Sequence, residues 1–139
     1  MHTLEELITT HGVDVHEHLD RQVTVPVLAG LQRQGDVIII PVDLSGGYEN
    51  GTQVPAEGYP VVRGESGGNT HLLLAAGAVS FHPAALFGSS NLSLGILTVA
   101  EGATAYLAHP EHAYTGIAPG TYEIRRQREQ ADEIRMVQD

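Results

Sequence analysis

Turn-forming residues recur so densely along this chain that little room is left between them for long helices. Sixteen glycines and seven prolines are spread through 139 residues. The apolar residues between them fall in short β-branched or alternating runs, the pattern of strands joined by tight turns. Val37-Ile38-Ile39-Ile40-Pro41-Val42, directly after Gly35-Asp36, is the clearest run. It is apolar at both parities, which predicts a central strand covered on each face. Val23, Val25 and Val27 alternate around Pro26 and predict an extended edge segment, since proline cannot serve a central ladder.

Further strands are expected at Tyr59 to Arg63 and at Thr70 to Ala75, with Ala78 to His82 pairing to the latter as a hairpin. Others follow at Leu94 to Val99, at Ala103 to His109, and at Thr121 to Ile124 after the Pro119-Gly120 turn. A last strand at Glu133 to Val137 would pair back on it. About eight short strands at turn-like spacing predict an all-β fold, a small barrel or sandwich.

The first twenty residues differ. Thr3 and Glu6 have the spacing of a capping box, Leu4, Leu7 and Ile8 form one apolar stripe, and Gly12 is placed to end the helix. The chain thus divides into a helical, polar appendage over residues 1–20 and a single β domain over 21–139. The appendage is polar and acidic, unlike a signal peptide or a membrane span, and a cytoplasmic protein is expected. His11, His16 and His18 stand there among acids, a pattern that suits a solvated terminal segment.

Composition narrows the chemistry. There is no cysteine, which removes disulfides, thiolate metal sites and cysteine nucleophiles. Lysine is absent too, excluding Schiff-base catalysis and the lysine of a phosphate-binding loop. A formal charge of −10 disfavours nucleic acid and anionic membranes as partners. Any bound transition metal must be held by imidazole and carboxylate.

Two segments offer such groups. In His109-Pro110-Glu111-His112 the imidazoles converge if the chain turns at Pro110, where proline is at home. Two imidazoles and a carboxylate within four residues suit Zn, Fe or Mn. His71, after the glycine-rich Gly64 to Asn69, can add a third imidazole from a neighbouring strand, with Glu65 nearby. The expected ligands are His71, His109 and His112, with Glu65 or Glu111 as proton acceptor or supporting carboxylate. No organic cofactor is indicated. His82, before Pro83, reads as structural. Gly64-x-Ser66-x-Gly68 has the letters of a nucleophile elbow, but a strand rather than a helix is expected after it. Arg125, Arg126, Arg128 and Arg135 are interleaved with acids, and cross-strand ion pairing is expected there.

Arg33-Gln34-Gly35-Asp36, Gly64-Glu65 with His71, His109-Pro110-Glu111-His112, and Gly120-Thr121-Tyr122-Glu123 through Arg126-Gln127-Arg128-Glu129 together resemble a family of small uncharacterised bacterial and phage β proteins. The resemblance runs from about Gln32 onward. It raises the standing of these positions without implying a reaction. Members commonly carry a second histidine two positions before the one matching His71, where this chain has Asn69. The histidines and glycines also resemble, more loosely, the cupin arrangement.

Two functions follow as expectations. One is a metal-binding β domain with metal-assisted chemistry on a small molecule. The other is a non-enzymatic assembly module that forms homo-oligomers through strand edges.

Overall fold

The computed structural model describes residues 1–17, 19–43, 51–62, 70–83 and 93–126. One helix and eleven strands occur among them: α1 (Leu4–His11), β1 (Val27–Leu28), β2 (Gln32–Gln34), β3 (Val37–Pro41), β4 (Thr52–Gln53), β5 (Tyr59–Val62), β6 (His71–Ala76), β7 (Val79–Pro83), β8 (Ser93–Val99), β9 (Thr104–His109), β10 (Ala113–Ile117) and β11 (Gly120–Arg126). The all-β expectation holds. The strands form two open sheets, one ordered β1-β10-β9-β6-β5 and the other β2-β3-β11-β8-β7-β4. The architecture is therefore a sandwich, and the closed-barrel alternative is set aside.

The main core lies between the sheets. Leu73, Ala105, Leu107 and Ile117 of the first sheet share it with Val37, Ile39, Leu97, Tyr122 and Ile124 of the second. Period-two alternation explains the choice: in β3 the buried residues are Val37 and Ile39, while Ile38 and Ile40 are half-buried on the outer face. β3 thus lacks the cover expected on its second face, because nothing comparable to α1 lies over that sheet among the described residues.

Cover on both faces falls to β9 instead, where Ala105 to His109 are all buried. Its outer face is roofed by the N-terminal segment: Leu4, Leu7 and Val15 form a second core with Leu74, Tyr106, Ala108 and Tyr114. The helix begins as its sequence dictates. Thr3 Oγ1 accepts from the Glu6 N–H at 3.2 Å and the Glu6 carboxylate accepts from the Thr3 N–H at 2.8 Å. It ends at Gly12, in the left-handed region at φ 81°. Tyr114 donates its hydroxyl to the Val13 carbonyl at 2.8 Å, tying the appendage to β10.

Several local expectations are corrected. β6 and β7 are not a hairpin: β6 pairs with β5 and β9, whereas β7 pairs with β4 and β8 in the other sheet. The chain changes sheets at Gly77, whose φ of 102° an L side chain resists. The same change of sheet separates β8 from β9. The edge expected over Val23 to Val27 shrinks to β1, which pairs parallel with β10, and Val25 turns inward. Arg125 meets Glu123 two residues away on the same strand, at 3.3 Å, rather than across strands. Glu65, the Gly64 to Gly68 motif, Arg128, Arg135 and the strand expected at Glu133 to Val137 lie outside the described residues.

Candidate metal centre

Strand register brings the histidines together. Leu72 of β6 is paired with Ala108 of β9, so the next step along the antiparallel ladder sets His71 beside His109. Both share parity with the core residues Leu73 and Leu107, so both point toward the opposite sheet, at one end of the sandwich. His71 and His109 are each only 4% exposed. Their ring centroids are 4.4 Å apart.

The third ring comes from the turn between β9 and β10. The His112 N–H bonds the His109 carbonyl at 3.2 Å, closing the bend through Pro110 and Glu111. Ala113 then takes a φ of 65°, the one non-glycine residue with positive φ among those described. Such a backbone costs an L residue roughly 1–2 kcal/mol. The turn returns His112 to within 4.7 Å of the His109 ring and 6.1 Å of the His71 ring, centroid to centroid. The N-terminal segment steadies this turn, since the His16 N–H donates to the Pro110 carbonyl at 2.9 Å.

His109, Glu111 and His112 each offer a ligand atom, and these atoms lie within 4.8 Å of one another. They could hold a metal ion. His109 is buried while Glu111 and His112 are exposed, so the group opens to solvent. The Glu111 N–H donates to His109 Nδ1 at 3.0 Å. In the neutral ring this leaves the hydrogen on Nε2. A metal at His109 Nδ1 would take the place of this contact, and one at Nε2 would require the other tautomer, which breaks it.

His71 adjoins this group and is held from the other sheet by the β2–β3 turn. Gln34 is 2% exposed, and its side-chain nitrogen donates to the carbonyls of Leu107 at 2.7 Å and Ala113 at 3.2 Å and to Thr115 Oγ1 at 3.1 Å. Two of these neighbours are carbonyl oxygens, so the amide nitrogen must face them and the amide oxygen must face the other way. That oxygen lies 2.9 Å from His71 Nδ1. Across the ring, His71 Nε2 is 3.6 Å from Asp36 Oδ1. Burial pushes the His71 imidazole down to about 4, helped by the positive charge His109 would carry and opposed by Asp36. At neutral pH the ring is uncharged, the form that ligates metal.

Gln34 and Asp36, which the resemblance marks without giving them a role, both stand against His71. Gln34 is paired with Val37 across a two-residue turn, and Val37 points inward. A polar residue forced inward next to a Gly-Asp turn was the available signal. His82 is buried in β7 of the second sheet and is not part of the ring cluster. No helix among the described residues is long and apolar enough to cross a membrane.

No curated protein and no solved structure matches the chain. One family model does, over residues 33–127, a span that holds Asp36, all three clustered histidines and Glu111. The chain belongs to the family described as a domain of unknown function, DUF8820.

Proposed function

We propose that the protein binds a divalent transition metal at the end of the sandwich where His71, His109 and His112 meet, with Glu111 as the carboxylate of the turn. The observation that carries this reading is the set of ligand atoms of His109, Glu111 and His112 within 4.8 Å of one another. The ring of His71 stands 4.4 Å from that of His109 beside them. Imidazole with carboxylate and no thiolate suits Zn²⁺, Fe²⁺ or Mn²⁺. The exposed side of the group leaves room for a water or a small molecule. A bound metal of this kind supplies Lewis acidity and a water activated near neutral pH. The chain's own part is to hold the imidazoles, keep His71 neutral by burial, and offer Glu111 as a proton acceptor at the rim.

Elemental analysis of protein purified without a histidine tag tests the reading. About one equivalent of a transition metal is expected, lost in His109→Ala and His112→Ala and kept in His16→Ala. Metal-free protein that takes up none of Zn²⁺, Fe²⁺ or Mn²⁺ on titration would end it.

A second reading, assembly through strand edges, draws on Val23, Leu28 and Leu31, which are large, apolar and exposed around the edge strand β1. Apolar side chains beside an unpaired edge invite a second copy. Light scattering that returned the mass of one 14.8 kDa chain across the micromolar range would remove this alternative.

A further inference from the structure

We propose that Asp36 is a metal ligand paired with Nε2 of His71, and that Gln34 is the positioning residue that presents that nitrogen. The inference rests on the metal-binding reading above and deepens it, because it adds a carboxylate from the opposite sheet to a centre otherwise built from β6 and the β9–β10 turn.

The nitrogen of the Gln34 amide is fixed by the carbonyls of Leu107 and Ala113, which can only accept. Its oxygen therefore faces His71 Nδ1 as an acceptor at 2.9 Å, and Nδ1 must carry a hydrogen. In the neutral ring Nε2 is then a bare lone pair, and a carboxylate oxygen of Asp36 lies 3.6 Å from it. A bare imidazole nitrogen and a carboxylate oxygen at this separation are placed to share one cation between them. The spacing is also informative. Two donors at about 2.0–2.2 Å from one ion, at tetrahedral to trigonal angles, lie roughly 3.3–3.8 Å apart. A histidine whose Nδ1–H is held by an oxygen acceptor while Nε2 faces outward is the arrangement in which proteins present imidazole to metal.

The placement of Asp36 supports the same role. It is the second residue of the two-residue turn joining β2 and β3, and Gly35 before it has a φ of 59°. That turn lies against the cluster: a Cβ on Gly35 would come 2.9 Å from His112 Nε2 and 3.5 Å from His71 Cε1. Asp36 keeps 27% side-chain exposure against 5% for His71, so the pair spans the boundary between core and solvent. As they stand, His71 and Asp36 adjoin the group formed by His109, Glu111 and His112 rather than belonging to it. In the proposed centre the exposed side chains of Glu111 and His112 move toward the pair.

Titration of the full, metal-free chain with Co²⁺ alone, followed by calorimetry and visible absorption, tests the proposal. Asp36→Asn keeps the shape of the side chain and should weaken Co²⁺ binding at least about tenfold and change the visible spectrum, since a charged oxygen donor is lost. His112→Ala reports on the underlying reading. If the wild-type chain binds Co²⁺, His112→Ala loses it and Asp36→Asn binds as tightly with an unchanged spectrum, Asp36 is not a ligand although the metal centre stands. If the wild-type chain binds no Co²⁺, both fall.

The role of Gln34 is read without relying on a variant that could unfold. Nitrogen-15 shifts of His71 in the metal-free wild-type chain at neutral pH should report hydrogen on Nδ1 and a bare Nε2, with Nε2 shifting on Co²⁺ or Zn²⁺ addition. A His71 found as the Nε2–H form, or doubly protonated, would overturn it. Where Gln34→Leu folds, loss of the Nδ1–H preference together with weaker Co²⁺ binding is expected, and retention of both would count against a positioning role.

Discussion

Gly35 and His112 are in contact across the sheets: a Cβ built on the glycine would lie 2.9 Å from His112 Nε2. The glycine is needed twice, for its φ of 59° and for this close approach. Gly35→Ala should therefore cost about 1–2 kcal/mol from backbone strain and push the His112 ring outward. Metal uptake should fall along with the melting temperature. Unchanged metal content in a folded Gly35→Ala chain would show that His112 does not need this neighbour.

Ala113 gives the opposite sign. It holds a φ of 65° right after His112, and its carbonyl accepts from Gln34 at 3.2 Å. Ala113→Gly relieves the left-handed strain at the expense of some unfolded-state entropy, and should raise stability by about 0.5–1 kcal/mol. Chemical denaturation of the metal-free protein reads this directly. A loss of stability would mean that the Ala113 methyl packs well enough to outweigh the strain.

Neighbouring isoleucines should separate cleanly. Ile39 is fully buried between the sheets, while Ile38 is half-buried on the outer face. Ile39→Ala should cost about 2–5 kcal/mol, and Ile38→Ala roughly half that or less. Equal losses would mean that the outer face of β3 is covered in solution.

Acid should weaken the metal-free fold through His71. Its imidazole sits at about 4 in the folded chain, below the ordinary 6.5. As pH falls through that interval the unfolded chain takes up a proton that the folded chain refuses, so this contribution is intact above about 6.5 and lost progressively toward 4. Urea midpoints measured in the presence of a chelator from pH 7.5 to 4 should decline accordingly, and less steeply in His71→Gln. Identical slopes for the two proteins would place the acid sensitivity elsewhere.

How much of this was legible in the sequence depends on the range of the cause. The capping box at Thr3 and Glu6, the turn at Gly35-Asp36 and the bend through Pro110 are set by residues within a few positions, and each appears where the sequence put it. Sheet membership is a different matter. Val79 to Pro83 follows β6 after only two residues, yet the strands belong to different sheets, and nothing local distinguishes a hairpin from a change of layer. Apolar residues at both parities point to β3 as the doubly covered strand, but β9 holds that place because α1 and Val15 lie over its sheet. At the site, the histidines stood out by residue type. Gln34 did not, because its importance lies in reaching Leu107, 73 residues away.

The position of β11 has a consequence for how the chain is made. It is the last strand among the described residues, yet it sits between β3 and β8 in the interior of its sheet. During synthesis both of those strands must wait with open backbone edges until residues up to Arg126 have cleared the ribosome, and a chain truncated before Gly120 would never close them. Unpaired strand edges on a nascent chain are where aggregation begins. The apolar β3 is the first of the two strands to emerge, so it carries this exposure longest, and it is the segment a chaperone would have most reason to hold.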